Sequence, residues 1–307
     1  MSLPDVFVIG APKAGTTSIT KWLDDRDDIY VSVPKEPYYW AADYPRLRRH
    51  YGFDTREAYE ALYDSAAASK AAHRVDGSTV YLYSNVAARD IVAAVPDASF
   101  VVLLRNPADL LLSYHRTQLV TLNEDEPDIE LAWERSIDGK APADPLDPKL
   151  VDYPLVGRLG AAMESLLAVV PRNRVHVIVF EQLAQRPAEV WAALMEFLKL
   201  PIHPVPEFAV HNRSDKMYRS PTLRRLTHRP PWLLEAPIRK FRQFSRTTDN
   251  VLVADVKRRM WRAEKRPQIS PDFRARIQDY YREDTELLRE LLGLDLSRWQ
   301  QVRSETG

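Results

Sequence analysis

Between Val8 and Ser18 the chain reads Val-Ile-Gly-Ala-Pro-Lys-Ala-Gly-Thr-Thr-Ser. A short apolar run stops at Gly10 and helix-forming sequence begins near Thr16. Gly10 and Gly15 stand five residues apart in a chain with only 9 glycines among 307 residues. A strand–loop–helix turn of this kind aims backbone N–H groups, and the positive end of a helix dipole, at one point in space. That is the chemistry of anion binding. The backbone of Ala14 and Gly15 contributes to such a cradle. The hydroxyls of Thr16, Thr17 and Ser18 add donors, and Lys13 adds a full positive charge.

The elements around this loop alternate. Strand-like runs are Asp5–Gly10, His73–Asp76, Ser99–Leu104 and Arg174–Phe180. Helical periodicity covers 17–23, 55–68, 85–95, 108–122, 155–170 and 187–200, with a proline-rich loop over Gly139–Pro154 and one long amphipathic helix over 271–292. Continuous apolar strands separated by helices predict an α/β fold: a parallel sheet flanked by helices on both faces, with a helical C-terminal part, in a single domain over 1–307. Hydrophobic residues at 45% suffice for its core.

Charge and composition exclude several classes. There are 43 basic and 43 acidic residues, so the chain is neither a globally basic nucleic-acid binder nor a disordered acidic one. Cysteine is absent, which removes disulfides, thiolate metal sites and a cysteine nucleophile. The histidines His50, His73, His176, His203, His211 and His228 show no metal-ligand spacing. No leader and no apolar run of ~20 residues is visible, so the expectation is a soluble cytoplasmic protein with no membrane partner. Arg213–Arg266 carries 16 Lys/Arg against 5 Asp/Glu, a local balance of +11. It reads either as a solvated face or as a mobile flap over a polyanionic ligand.

The loop spacing is P-loop-like, with Gly-x4-Gly in place. However, Thr16 stands where a nucleotide-triphosphate loop has its lysine, and Lys13 lies inside the loop instead. No apolar strand ends in an aspartate suited to Mg²⁺, since Ser99–Leu104 runs into Arg105. These residues therefore fit a phosphate ligand handled without a metal. A P-loop kinase, or a nucleotide-binding protein without turnover, remain the alternatives.

Gly10–Ser18 resembles the 5′-phosphosulfate loop of sulfotransferases that use 3′-phosphoadenosine-5′-phosphosulfate (PAPS). The run Val101–Pro107 followed by Ser113-Tyr114 resembles that family's 3′-phosphate motif. Pro34-Lys35-Glu36-Pro37-Tyr38-Tyr39-Trp40 resembles a segment of heparan-sulfate-type and bacterial members. Val177–Leu183, with Pro187 and Phe197-Leu198, resembles the late strand and helix. The resemblance covers roughly residues 5–220. It implies a P-loop-type sheet, PAPS as donor with 3′-phosphoadenosine 5′-phosphate (PAP) as product, Arg105 and Ser113 on the 3′-phosphate, and Lys216 and Arg219 as a late basic turn on the cofactor. One departure stands out. Heparan-sulfate-type relatives usually carry Glu-Lys-x-Pro or Glu-x-Ser-Pro where this chain reads Asp76-Gly77-Ser78-Thr79, so a second lysine near the sulfate is missing at Gly77 and Thr79 stands in place of the proline.

The chemistry implied is transfer of a sulfuryl group to a hydroxyl. Lys13 is suited to the charge that grows on the leaving oxygen, and Glu36 is the candidate base, in an aromatic setting that predicts a raised pKa. His115 is the alternative base, although its angular offset from Ser113 on a helix favours packing. Asp76 is either a second polar group at the acceptor site or a structural strand-end acid, and Ser78 either touches the sulfate or makes a turn. Tyr38, Tyr39, Trp40, Tyr81 and Tyr83 either line an acceptor pocket or fill the core. The neutral balance and these aromatics favour a small natural-product hydroxyl over a polyanionic glycan as acceptor.

Overall fold

The computed structural model describes residues 3–140, 142, 144–208, 216–218, 220, 222, 225, 228, 261–263 and 269–299. In chain order the first elements are β1 (Val6–Gly10), α1 (Thr16–Asp24), β2 (Ile29–Val31), α2 (Pro45–Tyr51), α3 (Arg56–Glu60), α4 (Ala66–Lys70), β3 (His73–Asp76) and α5 (Ala87–Ala94). Then come β4 (Ser99–Leu104), α6 (Pro107–Thr121), α7 (Ile129–Ile137), α8 (Tyr153–Gly157), α9 (Leu159–Leu167), β5 (Val175–Val179), α10 (Phe180–Gln185) and α11 (Pro187–Phe197). A short antiparallel pair, β6 (Lys216–Tyr218) and β7 (Trp261–Ala263), precedes α12 (Pro271–Tyr280) and α13 (Arg282–Leu292).

Five strands form a wholly parallel sheet in the order β2-β3-β1-β4-β5. The two central strands are apolar along their length because both faces are covered: Val6 to Ile9 and Phe100 to Leu104 are all 0% exposed. One face carries α1 and α11, joined where the Arg26 guanidinium lies 6.0 Å from the Trp191 ring and donates to the carbonyls of Pro201 and His203. The α/β expectation with a doubly covered parallel sheet is met. The chain leaves the neighbouring strands β1 and β4 toward opposite edges. In open parallel sheets that switch point, beyond the C-terminal strand ends, is where ligands bind.

Several helices expected to be continuous are broken, each by a side chain. The helix expected over 55–68 becomes α3, a 3₁₀ turn (Ala61–Tyr63) and α4, because Ser65 accepts the Ala68 N–H and starts a new helix. The helix expected over 155–170 starts earlier and breaks at Arg158. There the Asp284 carboxylate accepts the N–H groups of Gly160 and Ala161, at 2.8 and 2.9 Å, and begins α9. The long C-terminal helix divides at Tyr281, whose hydroxyl donates to the Tyr153 carbonyl. The loop expected over 139–154 contains a 3₁₀ turn, Pro148–Val151, and the start of α8. The strand β2 and the helices α2 and α7 lie where the sequence reading assigned nothing. Among the described residues no helix is long and apolar enough to cross a membrane. Apart from β6, β7 and single residues, the basic segment Arg213–Arg266 lies outside the described residues.

Candidate active site

The loop from β1 to α1 is shaped by two left-handed residues, Lys13 (φ 66°) and Gly15 (φ 98°). Gly15 is the residue before α1, and no side chain caps that helix end. The Ser18 and Ile19 N–H groups donate to the Gly15 carbonyl, and no side chain caps the turn before them, which is the arrangement that takes an anion. Gly15 is required on two counts. Its φ favours glycine, and a Cβ there would stand 2.8 Å from Leu183 Cδ2 and 3.3 Å from Phe180 Cδ2. Ala14 is fully buried beneath the loop, and Thr16 and Ser18 are buried on α1.

Arg105 follows directly from the end of β4. One of its guanidinium nitrogens donates to the Lys13 carbonyl at 2.8 Å, and its face lies 4.5 Å from the Phe180 ring. The resemblance implies Arg105 on a phosphate, and the fold puts its planar guanidinium against the anion loop. Asn106 accepts the Ala108 N–H and starts α6, which carries Ser113 in its second turn, 8% exposed. The Lys216 backbone pairs with Ala263 in the β6–β7 ribbon, and Arg219 lies outside the described residues.

A second cluster meets the loop from the other side. After β2 the chain is fastened to the end of β3: the Gly77 N–H donates to the Lys35 carbonyl at 2.9 Å, and the Tyr38 N–H donates to Ser78 Oγ at 3.0 Å. Lys35 Nζ then lies 3.1 Å from Thr16 Oγ1 and 2.8 Å from Glu36 Oε1. The other Glu36 oxygen accepts from the Tyr38 hydroxyl and, at 3.4 Å, from Thr79 Oγ1. Tyr38 holds a left-handed backbone (φ 62°), and its ring packs on Tyr51 at 4.8 Å. An ammonium and two hydroxyls are thus among the neighbours of Glu36.

Lys35 is the residue that sequence reasoning missed. It was legible as the neighbour of Glu36, but nothing in the sequence showed that its ammonium would reach α1. A Cβ on Gly77 would fall 2.8 Å from both Cγ and Cε of Lys35, so the glycine makes room for that stem.

Two expected acceptor residues take a different place. Asp76 is 0% exposed and Tyr81 2%, so neither lies on the surface of a pocket. The Tyr59 and Tyr81 hydroxyls donate to Asp76 Oδ2 at 2.8 and 3.0 Å, and the Ser78 N–H donates to Oδ1. The Trp40 indole and backbone N–H groups donate to the same two tyrosine hydroxyls. This network is a wall behind the site, and burial pushes the Asp76 pKa up to about 6. Trp40 and Tyr83 are buried as well, which leaves Tyr38 and Tyr39 as the half-buried members of the aromatic group. His115 is 2% exposed; its Nε2 meets the Glu126 carbonyl at 2.8 Å and its ring packs on Tyr153. That is a packing role, and burial holds its pKa below the usual value.

The comparisons agree with this geometry. The family model described as the sulfotransferase family matches residues 4–204, about two thirds of the chain, and the chain belongs to that family. It is therefore an enzyme of the sulfotransferase class. A sulfotransferase from Alicyclobacillus acidocaldarius superimposes with a TM-score of 0.70 at 21% identity, over 98% of this chain and 100% of that one. The sulfotransferase domain of the curacin biosynthetic pathway matches at a TM-score of 0.41 and 14% identity, over 66% of this chain and 77% of that one. The sulfotransferase domain of the Synechococcus PCC 7002 olefin synthase matches at 0.40 and 15%, over 78% and 94%. No curated protein matches by sequence.

Proposed function

We propose that this enzyme transfers a sulfuryl group from PAPS to a hydroxyl of a small-molecule acceptor and releases PAP. The observation that carries the reading is the unbroken chain of contacts from the anion loop through Lys35 to Glu36, which sets a donor-side cradle beside a carboxylate base. The residues fit the cofactor: an uncapped helix start behind two left-handed residues, with an arginine fork against the loop. When bound, PAPS supplies the activated sulfuryl group and the leaving phosphate.

The chain's own residues then have separable tasks. The backbone N–H groups of Gly15, Thr16 and Thr17, with the Thr16, Thr17 and Ser18 hydroxyls, hold the 5′ end, while the Ala14 and Ser18 N–H groups donate to the Ala11 and Gly15 carbonyls and shape the loop. Arg105 and Ser113 hold the 3′-phosphate. Lys13 places positive charge where the leaving oxygen becomes anionic, an interaction that strengthens as the bond breaks. Glu36 takes the acceptor's proton at its carboxylate, and Tyr38 and Tyr39 offer the acceptor an aromatic surface. Lys216 and Arg219 belong to the late basic turn.

The test replaces Glu36 by Gln. Turnover should fall by ~10²-fold or more while calorimetric PAP affinity persists. Near-normal turnover in Glu36→Gln, with loss in His115→Asn at unchanged PAP affinity, would assign the base to His115. A preference for ATP with Mg²⁺ over PAP would return the site to a kinase.

A further inference from the structure

Lys35 stands at the junction of the two halves of the site, and its placement is tightly determined. Its carbonyl accepts from the Gly77 N–H at 2.9 Å and from Ser32 Oγ at 3.4 Å, which fixes the backbone. Its aliphatic stem runs across Gly77, where any side chain would collide with Cγ and Cε. Its ammonium ends between Thr16 Oγ1 on α1 and Glu36 Oε1. The Lys35 and Glu36 side chains are 21% and 25% exposed, so water and salt screen this pair less than one on the open surface. Because Tyr38 and Thr79 hold the other Glu36 oxygen, the carboxylate is fixed at both ends.

We infer that Lys35 is a positioning residue: it keeps Glu36 ionised and aims it at the Thr16 end of the anion loop. The inference rests on Glu36 being the acceptor-side base. Its physical content has two parts. A carboxylate with an ammonium at hydrogen-bond distance keeps its charge to lower pH, so the base stays in its working form. A cation touching both the base and the first residue of α1 also sets the distance between proton acceptor and sulfuryl cradle, and transfer rates depend steeply on such alignment. An anchoring lysine elsewhere in the fold would do neither.

The test uses Lys35→Met and Lys35→Gln, which keep the stem and remove the charge. Selective ¹³C labelling of glutamate side chains, with Glu36 assigned by the signal lost in Glu36→Gln, gives its titration directly in the cofactor-free protein. In both variants the Glu36 midpoint should rise by about one pH unit or more, and the acidic limb of kcat/KM should move the same way. Turnover at saturation should fall tenfold or more, with PAP affinity changed by no more than about threefold, because a positioning residue acts through the base. A rescue is built into the geometry. Gly77 does not have a left-handed backbone, and once Cγ and Cε of Lys35 are gone its nearest neighbour of the three is the Lys35 carbonyl at 3.2 Å. Lys35→Ala/Gly77→Lys should therefore regain turnover over Lys35→Ala alone.

An unmoved Glu36 midpoint overturns the inference. So does a variant in which PAP affinity and turnover fall together at an unshifted pH profile, since Lys35 would then be an anion ligand. A wild-type protein that neither binds PAP nor sulfates any hydroxyl would sink the functional reading instead, and the Glu36 titration would still decide the role of Lys35.

Discussion

At the scale of single residues, the proposed function assigns some groups to binding and others to the transition state, and two substitutions test that division. Arg105 donates to the Lys13 carbonyl and stacks on Phe180, which holds its guanidinium, a group suited to a phosphate, against the loop. Truncating one partner of a buried charge pair costs about 2–5 kcal/mol. Arg105→Ala should thus weaken PAP binding by at least an order of magnitude and scarcely affect 5′-AMP. Equal losses for the two nucleotides in calorimetry would show that another residue reads the 3′-phosphate. Lys13 sits inside the loop in a left-handed conformation, so its side chain leaves the backbone where the cradle is made. Charge on the leaving oxygen exists only as sulfur departs, so Lys13→Ala should reduce kcat far more than PAP affinity. Collapsed affinity with normal kcat at saturation would make Lys13 a binding residue. Asp76 shows the limit of reading roles from residue type. An aspartate at a strand end beside tyrosines looked like an acceptor contact, but the same tyrosines turn inward and donate to it.

At the scale of elements, what decides whether a helix continues is often a side chain from far away in the chain. Asp284 on α13 accepts from the Gly160 and Ala161 N–H groups and so creates the start of α9. Gly160 permits the approach, since a Cβ there would fall 2.2 Å from the Asp284 carbonyl oxygen. Loss of an N-terminal cap costs about 1 kcal/mol, so Asp284→Ala should lower the melting temperature by roughly 2–4 °C. Gly160→Ala should lower it further, because backbone must move. An unchanged melting temperature in both would mean that the α9–α13 contact carries no stability. This contact explains what could be read in the sequence and what could not. The strands β1, β4 and β5 were legible because parallel strands buried on both faces are continuous apolar runs, and the anion loop because its glycines and hydroxyls sit at fixed offsets. The break at Arg158 was not, since its cause lies more than 120 residues downstream. The three-residue strand β2 was not, because it is too short to show a period. Lys35 was not, because its function depends on the spatial neighbours Thr16 and Gly77, 19 and 42 residues away in the chain.

At the scale of the whole molecule, buried titratable groups set how the fold responds to acid, and two of them pull in opposite directions. His176 on β5 stacks on Phe197 at 5.1 Å, and burial lowers its pKa to about 4. Between that value and the unfolded value near 6.5 the unfolded chain binds the extra proton, so this group removes stability as pH falls. Asp76 on β3 behaves the other way. With its pKa raised to about 6 against an ordinary 3.8, the folded chain binds the extra proton between those values, so stability rises as pH falls through them. Each span is a little over two pH units, about 3 kcal/mol at full extent. The two contributions therefore nearly cancel in the wild-type protein, and single substitutions should uncover them with opposite signs. Measured as the difference from wild type, His176→Gln should gain melting temperature steadily from pH 6.5 to pH 4. Asp76→Asn should lose it from pH 6 downward, whatever its offset at neutral pH. Taking differences cancels the remaining groups, including His73, which Asp5 holds above its usual pKa and which stabilises the fold below about pH 6.5. If both variants track the wild-type curve in parallel from pH 7 to pH 4, neither buried group changes its proton affinity on folding. Asp76 would then ionise near its ordinary value, its tyrosine and backbone donors holding a carboxylate anion through most of that range.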